Sequence, residues 1–470
     1  TAQLEGSTLT RAQYNTIHSL TSSFLRIPTS DLVYDGHTLN PLSLHWHCST
    51  AENLFGTLPL LTEMAMTQIR NIALPSGKLT IPQLNEIGIL NAAWDGDVDA
   101  LDFALKEQVP VDYVTTDGWS SLMIASETGH VEVVDKLLVH GAGVDLQNKN
   151  GWNPLMVASQ EGNVEVVDKL LQHGATVDLQ NADGWNALMV ASHNAHEEMV
   201  EKLLQHGARV DLQNKGGRSS LIIASLKGHV EVVEKLLQHR ATVDLTIKSN
   251  DTSLILACRN NDLTTASVLL RAGACPNCCN NYGQTPLLLA VWHENQAMVR
   301  VLVQANVDVN QMDQGGLSPL MMCCVQGDSE MTKLLLDSQA NPNLQQSNTG
   351  YTALMFACKG GHLDTVMILM GHVADPLIRN SSGITASDVA LVNDFPDLCA
   401  VIKLMEPKTT SDIAEHPDTS LMKETVDEVV KRFHAQMDHV PSLSLYDSDK
   451  GVAFRAPKEH LKHQFSEHET

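Results

Sequence analysis

Several groups of residues in this chain have types and spacing that invite chemistry. Cys275-Pro276-Asn277-Cys278-Cys279 invites a zinc reading. A structural zinc needs four ligands, and no second cysteine pair at suitable spacing accompanies this one. His45 and His47 fall on one face of a candidate strand, but two imidazoles alone do not make a site. Asp95, Asp97 and Asp99 imitate a calcium loop. The glycine falls at the second position of that loop rather than the sixth, and Lys106 stands where a bidentate Glu is required. His196-Glu197-Glu198 and His293-Glu294 begin like a zinc-protease helix, but Val200 and Ala297 replace the second histidine. No G-x-S-x-G elbow and no P-loop is present. The expectation is a chain with no metal, no cofactor and no catalytic residues.

Three further sets recur at a fixed period. His140, His173, His206 and His239 each follow Leu-Leu-x. Equivalent atoms on stacked helices lie about 8–10 Å apart, whereas ligands of one ion sit about 2 Å from it. These imidazoles cannot share a metal; a helix C-terminus, which favours a donor or a cation, suits them better. Trp119, Trp152 and Trp185 each follow a glycine, and the same slot continues as Arg218, Asp251, Gln284, Leu317 and Tyr351. Trp at a protruding turn tip is large and partly apolar, the type enriched where partners bind. The alternative is that each ring packs on its neighbour's turn and stiffens the array. Ser126, Ser159, Ser192 and Ser225, near the end of each following helix, are expected to line the same groove. The candidate partner-binding set is therefore Trp119, Trp152, Trp185, Arg218, Ser126, Ser159, Ser192 and Ser225.

The elements that position them repeat. Glycine recurs at Gly118, Gly151, Gly184 and Gly217, misses Asn250, and returns at Gly283, Gly316, Gly350 and Gly383, in steps of 33 with one of 34. Self-similarity at that period points to a repeat architecture. Within a unit, Asp117-Gly118 gives a turn and Ser120 to Ser126 a short apolar helix. Gly129-His130 gives a break, and Val131 to Leu138 an amphipathic helix. Neither helix is long enough to stand alone in water, so stacking must bury the Leu, Val and Ala faces.

This grammar resembles the ankyrin repeat. The closest approaches are Gly283-Gln284-Thr285-Pro286-Leu287, Gly350-Tyr351-Thr352-Ala353-Leu354, and Gly228-His229-Val230-Glu231-Val232-Val233-Glu234-Lys235-Leu236-Leu237. One departure recurs: the family's histidine after Leu is Met123, Met156, Met189, Ile222, Ile255, Leu288, Met321 and Met355 here, so the turns must be tied differently. The five-residue cysteine run falls where the family has G-A-D-P-N, so the repeat sets its spacing. The resemblance implies a mainly α solenoid and a non-catalytic scaffold or adaptor that binds another protein in its concave groove. It also allows a regulatory or sensing arm of a larger enzyme or receptor, or the cytosolic part of a channel or membrane skeleton.

Composition bounds the rest. The net charge of −24 argues against nucleic acid and anionic membranes as primary partners, favours solubility and basic partners, and keeps a long array monomeric. Nine cysteines, read as buried apolar residues rather than disulfides, suggest a reducing, cytoplasmic setting. No apolar run reaches the roughly 18 residues that span a bilayer. The chain starts at Thr1 without Met and has no signal-like beginning, so a fragment of a longer protein is a standing reading. Residues 1–78 read as a small α+β domain, with a helix through Tyr14 and Phe24, strands at 32–34 and 42–48, and a helix towards Ile72. The array is expected over 84–405, with capping units at 84–116 and 383–405. A polar tail over 406–470 carries one candidate helix, Met422 to Met437.

Overall fold

The computed structural model describes residues 2–4, 7–9 and 81–406, with side chains from Gly88 onward. Two strands, β1 (Ala2–Leu4) and β2 (Ser7–Leu9), pair antiparallel with Ala2 opposite Leu9. Neither strand is among those that the sequence pattern predicts. The other elements expected within residues 1–78 and the helix expected at Met422 to Met437 lie outside the described residues. Among the described residues from 81 onward, 81–91 fall in one spatial unit with 99–110, and 92–98 in another with 111–406.

Helix α1 (Ile81–Asp95) starts earlier than the degenerate unit expected from Leu84, and α2 (Val98–Lys106) follows it. From residue 111 the chain is a series of helix pairs. Repeats one to four are α3 (Ser121–Thr128) with α4 (Val131–Val139), α5 (Pro154–Glu161) with α6 (Val164–Gln172), α7 (Ala187–His193) with α8 (Glu197–Gln205), and α9 (Ser220–Lys227) with α10 (Val230–Gln238). Repeats five to eight are α11 (Ser253–Arg259) with α12 (Leu263–Arg271), α13 (Pro286–Trp292) with α14 (Gln296–Gln304), α15 (Pro319–Gln326) with α16 (Ser329–Asp337), and α17 (Ala353–Gly360) with α18 (Leu363–Gly371). The pair α19 (Ala386–Val392) and α20 (Pro396–Met405) closes the series.

Each first helix packs on the first helix of the next repeat, α3 on α5, α5 on α7 and so on to α19, forming one layer. The second helices form another, α4 on α6 on α8 on α10. The first layer holds the core. Ser121 through Ser126 are all buried, and so are their counterparts in α5, α7 and α9. A helix seven or eight residues long is marginal alone, so burial from both neighbours is what stabilises it. The second helices are amphipathic: Val133, Val134, Leu137 and Leu138 are buried while Glu132 faces water.

The missing family histidine is explained by the caps. Met123, Met156 and Met189 sit at 0% exposure in the core. The residue three places earlier, Ser120, Asn153 or Asn186, accepts a hydrogen bond from their backbone N–H. Thr285, Ser318 and Thr352 do the same later in the chain. A side-chain oxygen at the N-cap satisfies a donor that the helix itself leaves open.

Backbone ladders tie repeat to repeat. Lys149 N donates to Asp117 O at 3.0 Å, Ala182 N to Asn150 O at 2.9 Å, and Lys215 N to Asp183 O at 3.0 Å. This close approach requires glycine beside it. Gly151 has φ +80°, and a Cβ there would meet Ala182 N at 2.7 Å. Asn250 occupies the fifth slot at φ 63°, and its Nδ2 donates to Cys279 O at 2.9 Å. Asparagine tolerates the left-handed region better than other non-glycine residues.

Candidate partner-binding face

The residue after the turn glycine is fixed from both sides. Trp119 O, Trp152 O and Trp185 O accept from Thr115 N, Asn148 N and Asn181 N at 2.9, 2.9 and 2.8 Å. Their own N–H groups donate to Thr115 Oγ1, Asn148 Oδ1 and Asn181 Oδ1 at 3.1, 2.9 and 2.9 Å. The next residue is already the helix N-cap. The three tryptophans therefore stand on the return arm of the turn and not, as expected, at its tip. The tips are residues such as Thr116-Asp117 and Ala182-Asp183, which are exposed. The reason is the closing bond of the turn, which folds the residue after glycine back against the helix. All three tryptophans are half-buried, and Arg218 in the same slot is exposed.

In two repeats the side chain in this slot reaches the far end of its own first helix. The Trp185 ring meets His193 edge-on, with centroids 5.8 Å apart. Asp251, same slot two repeats on, makes an ion pair with Arg259 at 2.5 Å. Both partners lie eight residues downstream. Tyr351 instead tilts against Phe356, centroids 5.3 Å apart, joining the residue before the N-cap to the first full turn as in a hydrophobic staple. The face is thus built from the slot residue and the residue eight later. In chain order that second row is Glu127, Gln160, His193, Leu226, Arg259, Trp292, Val325 and Lys359, each half-buried or exposed. Sequence reasoning missed this row. One signal was available: the position varies from repeat to repeat directly after a slot that holds only Ser, Cys or Val.

The serine row does not belong to the face. Ser126, Ser159, Ser192 and Ser225 are each at 0% exposure. Ser126 Oγ and Ser192 Oγ donate to Leu122 O and Leu188 O at 2.7 Å, inside their own helices. One residue of a helix is about 100° of rotation, which separates buried Ser126 from half-exposed Glu127. The expectation that these serines line the groove is corrected accordingly.

The recurrent histidines act on backbone. His140, His173 and His206 place Nδ1 at 2.8, 2.9 and 2.9 Å from Lys136 O, Lys169 O and Lys202 O, so Nδ1–H donates to a terminal helix carbonyl. His239 instead sets Nε2 3.3 Å from Glu201 Oε1. Cys275, Cys278 and Cys279 are half-buried. Burial, with the Cys275 thiol beside it, pushes the Cys278 thiol up to about 12. A thiol held protonated at neutral pH is a poor nucleophile and a poor metal ligand. Among the described residues no group of three or more His, Cys, Asp or Glu side chains could hold a metal ion.

A family model for ankyrin repeats, in blocks of three copies, matches residues 89–181, 170–249, 242–313, 304–380 and 320–409. No curated protein matches the chain significantly. The match runs over more than half of the sequence, on the same helix pairs, turn glycines and N-caps described above, and the chain belongs to the ankyrin-repeat family.

Proposed function

We propose that this chain is a non-catalytic scaffold or adaptor that binds another protein on the face formed by the turns and first helices. Repeats of this family generally mediate protein–protein interaction. The observation that carries the reading is the row Trp119, Trp152 and Trp185. Three large rings are held by the same bonds in three successive repeats, each half-buried and each with surface left to cover. Aromatic anchors of this kind dominate binding energy when a partner excludes water from them. Arg218 extends the row, exposed.

A reducing cytoplasmic setting fits the cysteines. Cys258, Cys323, Cys324, Cys358 and Cys399 are buried and unpaired, and Cys275, Cys278 and Cys279 are unpaired at the half-exposed run. No helix among the described residues is long and apolar enough to cross a membrane.

The test is a Trp119→Ala, Trp152→Ala, Trp185→Ala triple variant in affinity purification with mass spectrometry, beside the unaltered chain. Loss of partners, with the helical circular dichroism signal retained, is the expected result. Partner recovery equal to that of the unaltered chain would remove the tryptophans from the account.

A further inference from the structure

The binding face changes sign along the stack. On repeats one to three its charged side chains are Asp117, Lys149, Glu127, Glu161 and Asp183, with Lys149 4.0 Å from Asp117. On repeats four and five they are Lys215, Arg218, Lys227 and Lys248, all exposed, and the paired Arg259. Among the described residues none of the four exposed cations makes an ion pair. Of the nearby carboxylates, Asp183 stands exposed on the turn bonded to Lys215 and marks the edge of the cluster, and two others are engaged elsewhere. Asp251 is buried and held by Arg259, Ser249 and Asn280 at 2.5, 2.5 and 3.0 Å. Asp262 caps α12, accepting from Thr264 N and Thr265 N at 3.1 Å. Four exposed cations that form no ion pair, grouped on one face of a chain whose net charge is −24, leave that part of the face free to attract an anionic partner.

We propose that repeats four and five of this face bind an acidic stretch of a partner polypeptide, an extended segment with several Asp or Glu side chains and an adjoining apolar one placed against Trp185. This rests on the partner-binding reading above and names the chemistry of the partner. The geometry favours a run of carboxylates. Repeats stack about 10 Å apart, and an extended chain advances about 3.3 Å per residue, so roughly every third side chain of a bound strand meets a new repeat. The cations are distributed over two turns and a helix end and do not converge on one point, as a single phosphate would need. A nucleic acid long enough to pass repeat four would run onto Asp183, Glu161 and Asp117, whose charges repel it. The turn row is preorganised: Lys215 N is bonded to Asp183 O and Asn281 N to Ser249 O, both at 3.0 Å. A partner segment therefore meets cations carried on backbone that is already in place.

The experiment selects short random displayed peptides on the full chain, on a Lys215→Glu, Arg218→Glu, Lys248→Glu variant, and on a Lys333→Glu control. Lys333 is an exposed cation on α16. Lys227 is left alone, because an acidic residue in the last turn of α9 opposes the helix dipole. The unaltered chain and the control should enrich peptides with acidic runs beside an aromatic or aliphatic residue. The triple variant should bind those peptides on the order of tenfold more weakly or worse, and added salt should weaken binding to the unaltered chain. Enrichment without acidic residues, retention of the acidic peptides by the triple variant, no enrichment at all, or tighter binding of a single-stranded oligonucleotide that displaces them would each overturn the proposal. The Trp119, Trp152, Trp185 variant run alongside separates this from the broader reading. If it loses peptides that are not acidic, the face stands and only the charge assignment falls. If both variants keep every selected peptide, the face itself falls.

Discussion

Repeats one to four and repeats five to seven satisfy the same carbonyl from different donors. In the first group the donor is the residue before each second helix. His130 Nε2 lies 3.0 Å from Trp94 O, Asn163 Nδ2 2.9 Å from Ser126 O and 3.0 Å from Glu127 O, His196 Nε2 2.9 Å from Gln160 O, and His229 Nε2 3.0 Å from His193 O. In the second group the donor sits at the end of the first helix: Asn260 Nδ2 at 2.7 Å from Leu226 O, His293 Nε2 at 2.8 Å from Arg259 O, and Gln326 Nε2 at 3.3 Å from Trp292 O. Moving the donor frees the residue before the second helix. Asp262, Asn295 and Asp328 take that place and cap their own helices, whereas His130, Asn163, His196 and His229 make no side-chain cap bond. The ladder of loop acceptors switches at the same border. Asp145, Asp178, Asp211 and Asp244 accept from the backbone of the following repeat, then Asn277, Asn310 and Asn343 do. What the stack requires is that each terminal carbonyl find a donor; which residue supplies it is free to drift.

The border itself carries the largest expected effect. Asp251 is at 2% exposure and anchors Arg259, Ser249 and Asn280 together. Asp251→Ala leaves a half-buried guanidinium without its counter-charge and should destabilise repeats five and six by about 3 kcal/mol, read from the urea midpoint and from hydrogen exchange of α11 and α13. Importing the earlier pair, Asp251→Trp with Arg259→His, should recover part of that loss, because Trp185 and His193 show the two positions accepting an aromatic contact. A shift well under a kilocalorie for Asp251→Ala would mean the two groups of repeats differ less than their bonding suggests.

The turn slot gives the next contrast. Gly151→Ala puts a Cβ 2.7 Å from Ala182 N at φ +80°, and should destabilise by roughly 2–3 kcal/mol from left-handed strain plus the overlap. Asn250→Gly, in the equivalent slot, should change stability by less than about 1 kcal/mol, losing one exposed hydrogen bond while relieving positive-φ strain. Thermal unfolding of the two single variants checks the ordering. Equal losses would show that the slot is used alike on both sides of the border.

Much of this was legible in the sequence because it depends on local rules. The 33-residue step gave the repeats, and Gly129-His130 gave the helix break. Two things were misread, and both turn on angles that spacing does not encode. Trp119 follows the turn glycine in either case, but whether it stands at the tip or on the return arm depends on the Thr115 N to Trp119 O bond. Ser126 and Glu127 are adjacent, and the rotation between them decides which one reaches the face. The buried ion pair of Asp251 and Arg259 was invisible for a different reason. It joins residues eight apart, beyond the three and four that put side chains together on one helix, and exists only because the chain turns back before α11.

The smallest effect concerns pH and tests whether repeat eight has returned to the earlier solution. His362 again stands before a second helix, α18, and its ring is bonded to the Val325 backbone. Burial holds its imidazole below the ordinary value of 6.5, against a smaller opposing pull from that backbone bond. The unfolded chain therefore binds the proton more readily than the folded one. The contribution of His362 is fully present above pH 6.5 and is lost as pH falls through the folded-state value. Exchange of the α17 and α18 amides, corrected for intrinsic rates, should become less protected on going from pH 7 to pH 5. His362→Asn, which supplies the uncharged donor that Asn163 supplies in repeat two, should flatten that dependence without abolishing the fold. If the asparagine variant keeps the full pH response, the titrating group lies elsewhere, and the likeness between repeat eight and the first four is one of sequence alone.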